Sequence, residues 1–415
     1  MSHTSARLRG AAVAVAVGAL LAPVAAGPVW ASPAAGPAAL TAGSPGPSPS
    51  GTAVRDLTPG VARQLDAAVR TVMRAADIPG VTVGIWTPGQ PSYVRSFGVA
   101  DKATGRRMAP DLYMRIGSET KTFTVTALLQ LVDRRKVGLD DPIGRYVDGV
   151  PNGGRITLRQ LADMRSGLFN YSEDPDFYKA LTSDPQRPFT PRQLLAYSFK
   201  HPVLFQPGQR FFYCNTNLIL LGLVVEKESG QRLGDYIRQH VLDPAGMDHT
   251  LFPAGTEFPA PHAQGYTGQT ANGEEADAAD WNPSWGWAAG AIISDLRDLH
   301  TWAPTVATGR FPDGSRMVGA ATQKQRLTTP GTGTIKGAGY GLGIFDVQGW
   351  IGHNGSLPGY ETLTVYLPAT GTTLVVLLNT DTAYRSQEPS TVLGEAITKV
   401  ISPAHVYRLP VTRTG

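Results

Sequence analysis

The sequence predicts an α+β fold: an antiparallel sheet built from both chain ends, flanked by helices, with an inserted all-helical lobe. Three observations predict it. Val81, Val83 and Ile85 alternate with Thr82, Gly84 and Trp86 early in the chain, and apolar, β-branched runs return at Thr362 to Leu367 and Thr373 to Leu378. Such runs, bounded by turn residues, are strands. Between them the spacing is helical, and strands at both ends with helices in the middle point to segregated layers.

Taken in order, Thr58-Pro59 is a helix start, a capping hydroxyl followed by proline in the first turn. Val61, Leu65, Val69 and Met73 then form an apolar stripe that Ile78-Pro79-Gly80 ends. Pro88-Gly89 turns the first strand into a returning one from Tyr93 to Val99. Helices are expected over Lys121 to Lys136, Thr157 to Met164, Pro191 to Tyr197 and Asn217 to Ser229. A turn at Pro368-Ala369-Thr370-Gly371 joins the last two strands, and a closing helix runs from about Pro389 to Ile401.

The 415 residues are 42% hydrophobic and 17% charged, an ordinary globular balance able to bury a sizeable core. Arg7 and Arg9 precede an apolar run from Ala11 to Ala26, with Val29-Trp30-Ala31 as a small-residue cleavage site. Residues 1–31 therefore read as a secretory signal peptide, residues 32–54 as a Pro/Ser/Gly/Ala-rich linker, 55–405 as one domain with its helical lobe at about 125–280, and 406–415 as a tail. A secreted, extracellular protein with no membrane anchor is expected. The formal charge of +4 and the lack of a basic run argue against a nucleic-acid partner. Cys214 is the only cysteine, so no internal disulfide forms.

Three patterns carry chemistry. Ser118-Glu119-Thr120-Lys121 opens a helix, so hydroxyl and amine share one face at the dipole's positive end. The amine serves as a base only if its surroundings lower its pKa; otherwise Ser118 is a cap and Lys121 a solvated charge. Tyr213-Cys214-Asn215 offers a phenol that relays a proton and an amide that donates and accepts, with Cys214 structural. Gly352-His353-Asn354-Gly355-Ser356 lets a substrate approach backbone N–H groups, the alternative being a turn with a surface histidine. Trp285-Gly286-Trp287 either walls a pocket or fills the core. There is no Gly-x-Ser-x-Gly, no metal-helix histidine pair and no nucleotide-binding glycine pattern, so neither cofactor nor metal is expected.

Together these residues resemble the serine penicillin-recognising enzymes, which include D-alanyl-D-alanine carboxypeptidases, class C β-lactamases and related esterases. The likeness runs from about Leu57 to Ile401. It rests on Arg115 to Thr124, Leu139 to Pro142, Ile156 to Leu158, Ser166 to Leu168, Pro207 to Asn217 and Gly352 to Gly359. The resemblance implies a β-lactamase/transpeptidase-like fold in which Ser118 is acylated, Lys121 and Tyr213 jointly handle its proton, and Tyr213 with Asn215 serves the leaving group. The backbone N–H groups of Ser118 and Ser356 would form the oxyanion hole. Trp285, His353, Asn354, Gly355 and Ser356 would bind substrate, with His353 where β-lactamases carry lysine.

Two departures stand out. An arginine that grips a terminal carboxylate in such carboxypeptidases follows Tyr-Gly-Leu-Gly, whereas Tyr340-Gly341-Leu342-Gly343 leads here to Ile344-Phe345-Asp346. Asn354 replaces a usual threonine. The resulting expectation is a secreted, monomeric serine-type D-Ala-D-Ala carboxypeptidase acting on cell-wall peptides, with a small peptide or ester as substrate and β-lactams as acylating ligands. An esterase, a β-lactamase, a D-amino-acid amidase and a non-catalytic penicillin- or peptidoglycan-binding protein are the alternatives.

Overall fold

The computed structural model describes residues 54–333 and 337–409. The expected signal peptide, the linker up to residue 53 and the end of the tail lie outside the described residues. Val54 is buried near one end of this body and Tyr407 is fully buried near the other.

Helix α1 (Pro59–Ala75) starts as expected, with the Thr58 hydroxyl accepting the Val61 N–H at 3.3 Å. Its buried residues are Leu65, Val69 and Val72. Steps of four overshoot a 3.6-residue turn, so Val72 rather than Met73 faces inward at the last turn. Strands β1 (Gly80–Trp86) and β2 (Tyr93–Gly98) follow, then the short β3 (Met114–Arg115) and α2 (Thr120–Asp133).

The helical lobe holds α3 (Leu158–Ala162), α4 (Pro175–Ser183), α5 (Pro191–Phe199), α6 (Asn215–Ser229), α7 (Leu233–Ile237) and α8 (Asp243–Ala245). Capping boxes Thr157/Gln160 and Thr190/Gln193 start α3 and α5, and Gly230 in the left-handed region ends α6. The chain returns through β4 (Tyr266–Thr267), β5 (Ala276–Asp277), β6 (Ile293–Ser294), α9 (Leu296–Thr308) and α10 (Ala320–Arg326). It closes with β7 (Ala338–Tyr340), β8 (Phe345–Val347), β9 (Trp350–Leu357), β10 (Tyr360–Leu367), β11 (Thr372–Leu378) and α11 (Pro389–Ile401).

The main sheet has seven strands in the order β2-β1-β11-β10-β9-β8-β7, antiparallel throughout. Early strands thus pair with late ones, Val83 lying opposite Val376 and Val376 opposite Leu363. These three share the face that meets α11, where Leu363 touches Gly394. Trp86 points the other way and stacks on His300 of α9 at 3.9 Å between ring centroids. Helix α2, whose residues 120–131 are all buried, lies on the α9 side, with Phe123 stacked on Trp302 at 3.9 Å. A helix buried on every face needs no amphipathic stripe.

Candidate active site

Ser118 lies in a tight 3-10 turn (Gly117–Glu119) that leads into α2. Lys121, one turn on, is fully buried and donates from Nζ to Ser118 Oγ and to the Ala289 carbonyl, each at 2.8 Å. Its ammonium also stands 4.9 Å from the Tyr213 ring centroid. Burial holds the Lys121 pKa well below the ordinary lysine range, because an ammonium loses its hydration there. Tyr213 neighbours Ser118, and burial pushes its pKa upward, so the phenol keeps its proton. One hydroxyl is therefore flanked by a deprotonation-prone amine and by a phenol ready to give a proton.

Asn215 begins α6 beside Tyr213. Its backbone N–H donates to Asn170 Oδ1 at 3.1 Å and its Nδ2 to Ser172 Oγ at 3.0 Å, while its Oδ1 is buried with no hydrogen-bond partner among the described residues. Cys214 is turned into the core and donates to the Leu168 carbonyl at 3.5 Å, with burial raising its thiol to about 12, as its structural reading requires.

The Gly352 to Ser356 segment lies within β9, not in a turn, and faces β8 only as far as Gly352. His353 is buried on the α2 side, 6.1 Å from Tyr213 between ring centroids. Its Nδ1 donates to the Asn354 carbonyl at 2.5 Å, so in the neutral ring Nε2 accepts from the Tyr340 hydroxyl at 3.2 Å. Burial, then the Lys121 charge, holds its pKa down to about 3. The ring is neutral at physiological pH. Phe345 packs against this group at 4.9 Å from His353 and 4.5 Å from Tyr340.

Strand alternation turns Asn354 away from the cleft. It lies opposite Leu363, on the α11 face, and its amide donates to Glu388. The side chain expected to touch substrate is committed behind the strand. Gly355 faces the nucleophile's loop, where an added Cβ would fall 1.9 Å from the Ile116 carbonyl oxygen. Gly117, at φ +51°, has the same closeness to Ser356, with 2.7 Å between a built Cβ and the Ser356 nitrogen. Two glycines thus bring the Ser356 N–H beside the turn of Ser118. Trp285 is half-buried away from these contacts, its carbonyl accepting from Tyr171 at 2.6 Å and its ring 6.1 Å from Phe177. It contributes through its chain, which continues to the Ala289 carbonyl that holds Lys121.

Residues 65–394 match the family model described as Beta-lactamase. The chain belongs to the beta-lactamase family. Membership makes it a serine hydrolase with the fold that family shares. A Streptomyces sp. D-stereospecific amidohydrolase of solved structure is similar to this beta-lactamase-family chain, with TM-score 0.70, 29% identity, and 81% of this chain and 98% of that one covered. A Brucella anthropi D-aminopeptidase is 29% identical over 312 residues, 72% of this chain, which spans 55% of that relative's length. A Bacillus subtilis (strain 168) protein, provisionally named penicillin-binding protein PbpX, is 25% identical over 326 residues, 77% of each.

Several residues of this beta-lactamase-family site carry no motif. Ala289 acts through its backbone, which no residue type announces. Asn170 and Ser172 reach Asn215 from another loop, and Asn170 Nδ2 holds Glu173 Oε1 at 3.1 Å. Glu388 precedes a proline at a helix start and passes for a cap. Replacing Gly355 with Ala forces two backbones apart, and a loss of about 3 kcal/mol is expected in urea unfolding together with most of the activity. An unchanged unfolding midpoint would show that the strand yields freely.

Proposed function

We propose that the protein is a D-stereospecific amidase or aminopeptidase that works through an ester on Ser118. Lys121, neutral through burial, takes the Ser118 proton as Oγ attacks the substrate carbonyl. The oxyanion is met by the N–H groups of Ser118 and Ser356. Tyr213 gives its proton to the leaving amine, and Lys121 passes the proton it took back to Tyr213. Water then cleaves the ester with the same groups in reverse.

The observation that carries the substrate reading is the charge of the cleft wall. Phe345 stands where a carboxypeptidase would place a cation, and the neighbouring imidazole of His353 is neutral. A terminal carboxylate would be buried there unpaired, at a cost of several kcal/mol. In this reading the substrate's charge partner is instead a carboxylate of the protein. Glu173 is tied to Asn170 and adjoins Ser172, which takes the Asn215 amide, and so suits an ammonium on the substrate's acyl side. The carboxypeptidase expectation therefore gives way to an amidase, and the similarity to the Streptomyces and Brucella enzymes supports the same choice.

The decisive assay offers purified protein D-alaninamide, L-alaninamide and N-acetyl-D-Ala-D-Ala. Cleavage of the D-amide at least about 100-fold faster than the others is expected. Release of D-alanine from the carboxylate peptide at equal or greater rate would reinstate the carboxypeptidase. Glu173→Gln should raise KM for D-alaninamide roughly tenfold while leaving a neutral ester such as p-nitrophenyl acetate unaffected. Equal losses on both substrates would remove Glu173 from recognition. Burial raises the Glu173 pKa, so the wild-type KM for the D-amide should climb as the pH falls through the carboxylate range.

A further inference from the structure

Behind the cleft, two carboxyl groups meet at the head of α11. Glu388 holds the N-cap position, yet its side chain takes none of the helix's free N–H groups. Its Oε2 accepts from Asn354 Nδ2 instead. The capping role passes to Glu361 on β10, whose Oε2 accepts the Ser390 N–H at 2.8 Å. Glu361 lies opposite Ser356, and Asn354 is two residues earlier on the same strand. Both acids thus attach the head of α11 to the part of the β9–β10 pair that presents the Ser356 N–H to the Ser118 turn.

Two buried carboxyls side by side do not both ionise readily. Burial and the neighbouring Glu388 charge raise the Glu361 pKa strongly, with Asp381 adding to the effect. Burial raises Glu388 as well, but the Asn354 amide and the Lys121 charge favour its ionised form. Of the two, Glu361 is raised the more strongly. Lys121 is faced by Ser118 on its own helix side, by Tyr213 and Cys214 ahead of α6, by the Ala289 carbonyl, by His353 on β9 and by Glu388 across that strand. Tyr213, Cys214 and His353 are neutral at physiological pH, their pKa values being shifted by burial away from it. Glu388 is the acid among them.

We propose that Glu388 is a positioning residue for acylation: it pins Asn354, and so the β9 segment that carries the Ser356 N–H to the Ser118 turn. The proposal rests on Ser118 and Lys121 as nucleophile and base, and is independent of which amide or ester is the substrate.

The test measures, across pH, the rate at which an alkyl fluorophosphonate labels the full-length protein, read by intact mass. Glu388→Gln keeps an acceptor for Asn354 and should label at close to the wild-type rate. Asn354→Ala loses the tie; its plateau rate should fall about tenfold. Glu388→Ala should show the same fall, and if it does not fold the first two variants decide. An unchanged plateau in Asn354→Ala, or a Glu388→Gln plateau as low as that of Asn354→Ala, overturns the proposal. Ser118→Ala is run alongside. Labelling that persists there refutes the nucleophile itself, a separate failure.

Discussion

Ser118→Ala is expected to lower D-alaninamide hydrolysis by about 10⁴-fold or more, to the level left by binding alone. The change removes the atom to which Lys121 is hydrogen-bonded and which Tyr213 neighbours. It should also abolish any covalent adduct with penicillin or a fluorophosphonate, seen as a mass increment on the wild-type protein only. Stability should hardly move. Ser118 is only half-buried and its side chain caps nothing in the turn that carries it. Retention of more than a few per cent of activity in a folded Ser118→Ala protein would rule out the acyl-enzyme route.

Lys121→Met should be nearly as damaging to catalysis, about 10³-fold, yet harmless or favourable to folding. The two effects have one origin. An ammonium buried on all sides loses hydration that its hydrogen bonds only partly replace, and this is the same cost that frees the amine to act as a base. The sign of the pH dependence follows. In the unfolded chain the lysine holds its proton up to its ordinary value of 10.5, whereas the folded chain releases it well below that. Between the two values the unfolded state binds the extra proton, so wild-type stability rises with pH across that window and its penalty is complete below the folded value. The Met variant lacks this slope. Urea unfolding at pH 7 and pH 10 should show the variant at least as stable as wild type at the lower pH, with wild type gaining on it at the higher. A variant that is less stable at pH 7 by more than about 2 kcal/mol would mean that the amine is a structural tie.

The parts of this molecule legible in sequence were those in which local chemistry and final structure agree. Thr58-Pro59 and Pro389 announce helix starts that α1 and α11 obey. The runs at Val81 to Ile85 and Thr373 to Leu378 become β1 and β11. Ser118, Lys121 and Tyr213 converge as their spacing and the resemblance implied. Strand β9 was harder to read because Gly352, Gly355 and their polar neighbours satisfy close backbone approach rather than β propensity. The motif that holds Asn354 points to substrate, but motif membership says nothing about which face of a strand a side chain takes, and here that face is the one behind the cleft. Glu173 and Glu388 depend on loops and helices that meet only in the folded chain. No spacing rule reaches across such distances.

The pairing of β1 with β11 also bears on how the molecule comes into being. A ribosome delivers β1 and β2 early as a pair, but the second partner of β1 emerges only after nearly three hundred further residues, which leaves one edge of β1 unmatched for most of synthesis. Ser118 and Lys121 emerge early as well, whereas the Ser356 N–H that completes their site comes near the close of translation. The nascent chain therefore carries its nucleophile unarmed, and hydrolytic power arrives with the final strands.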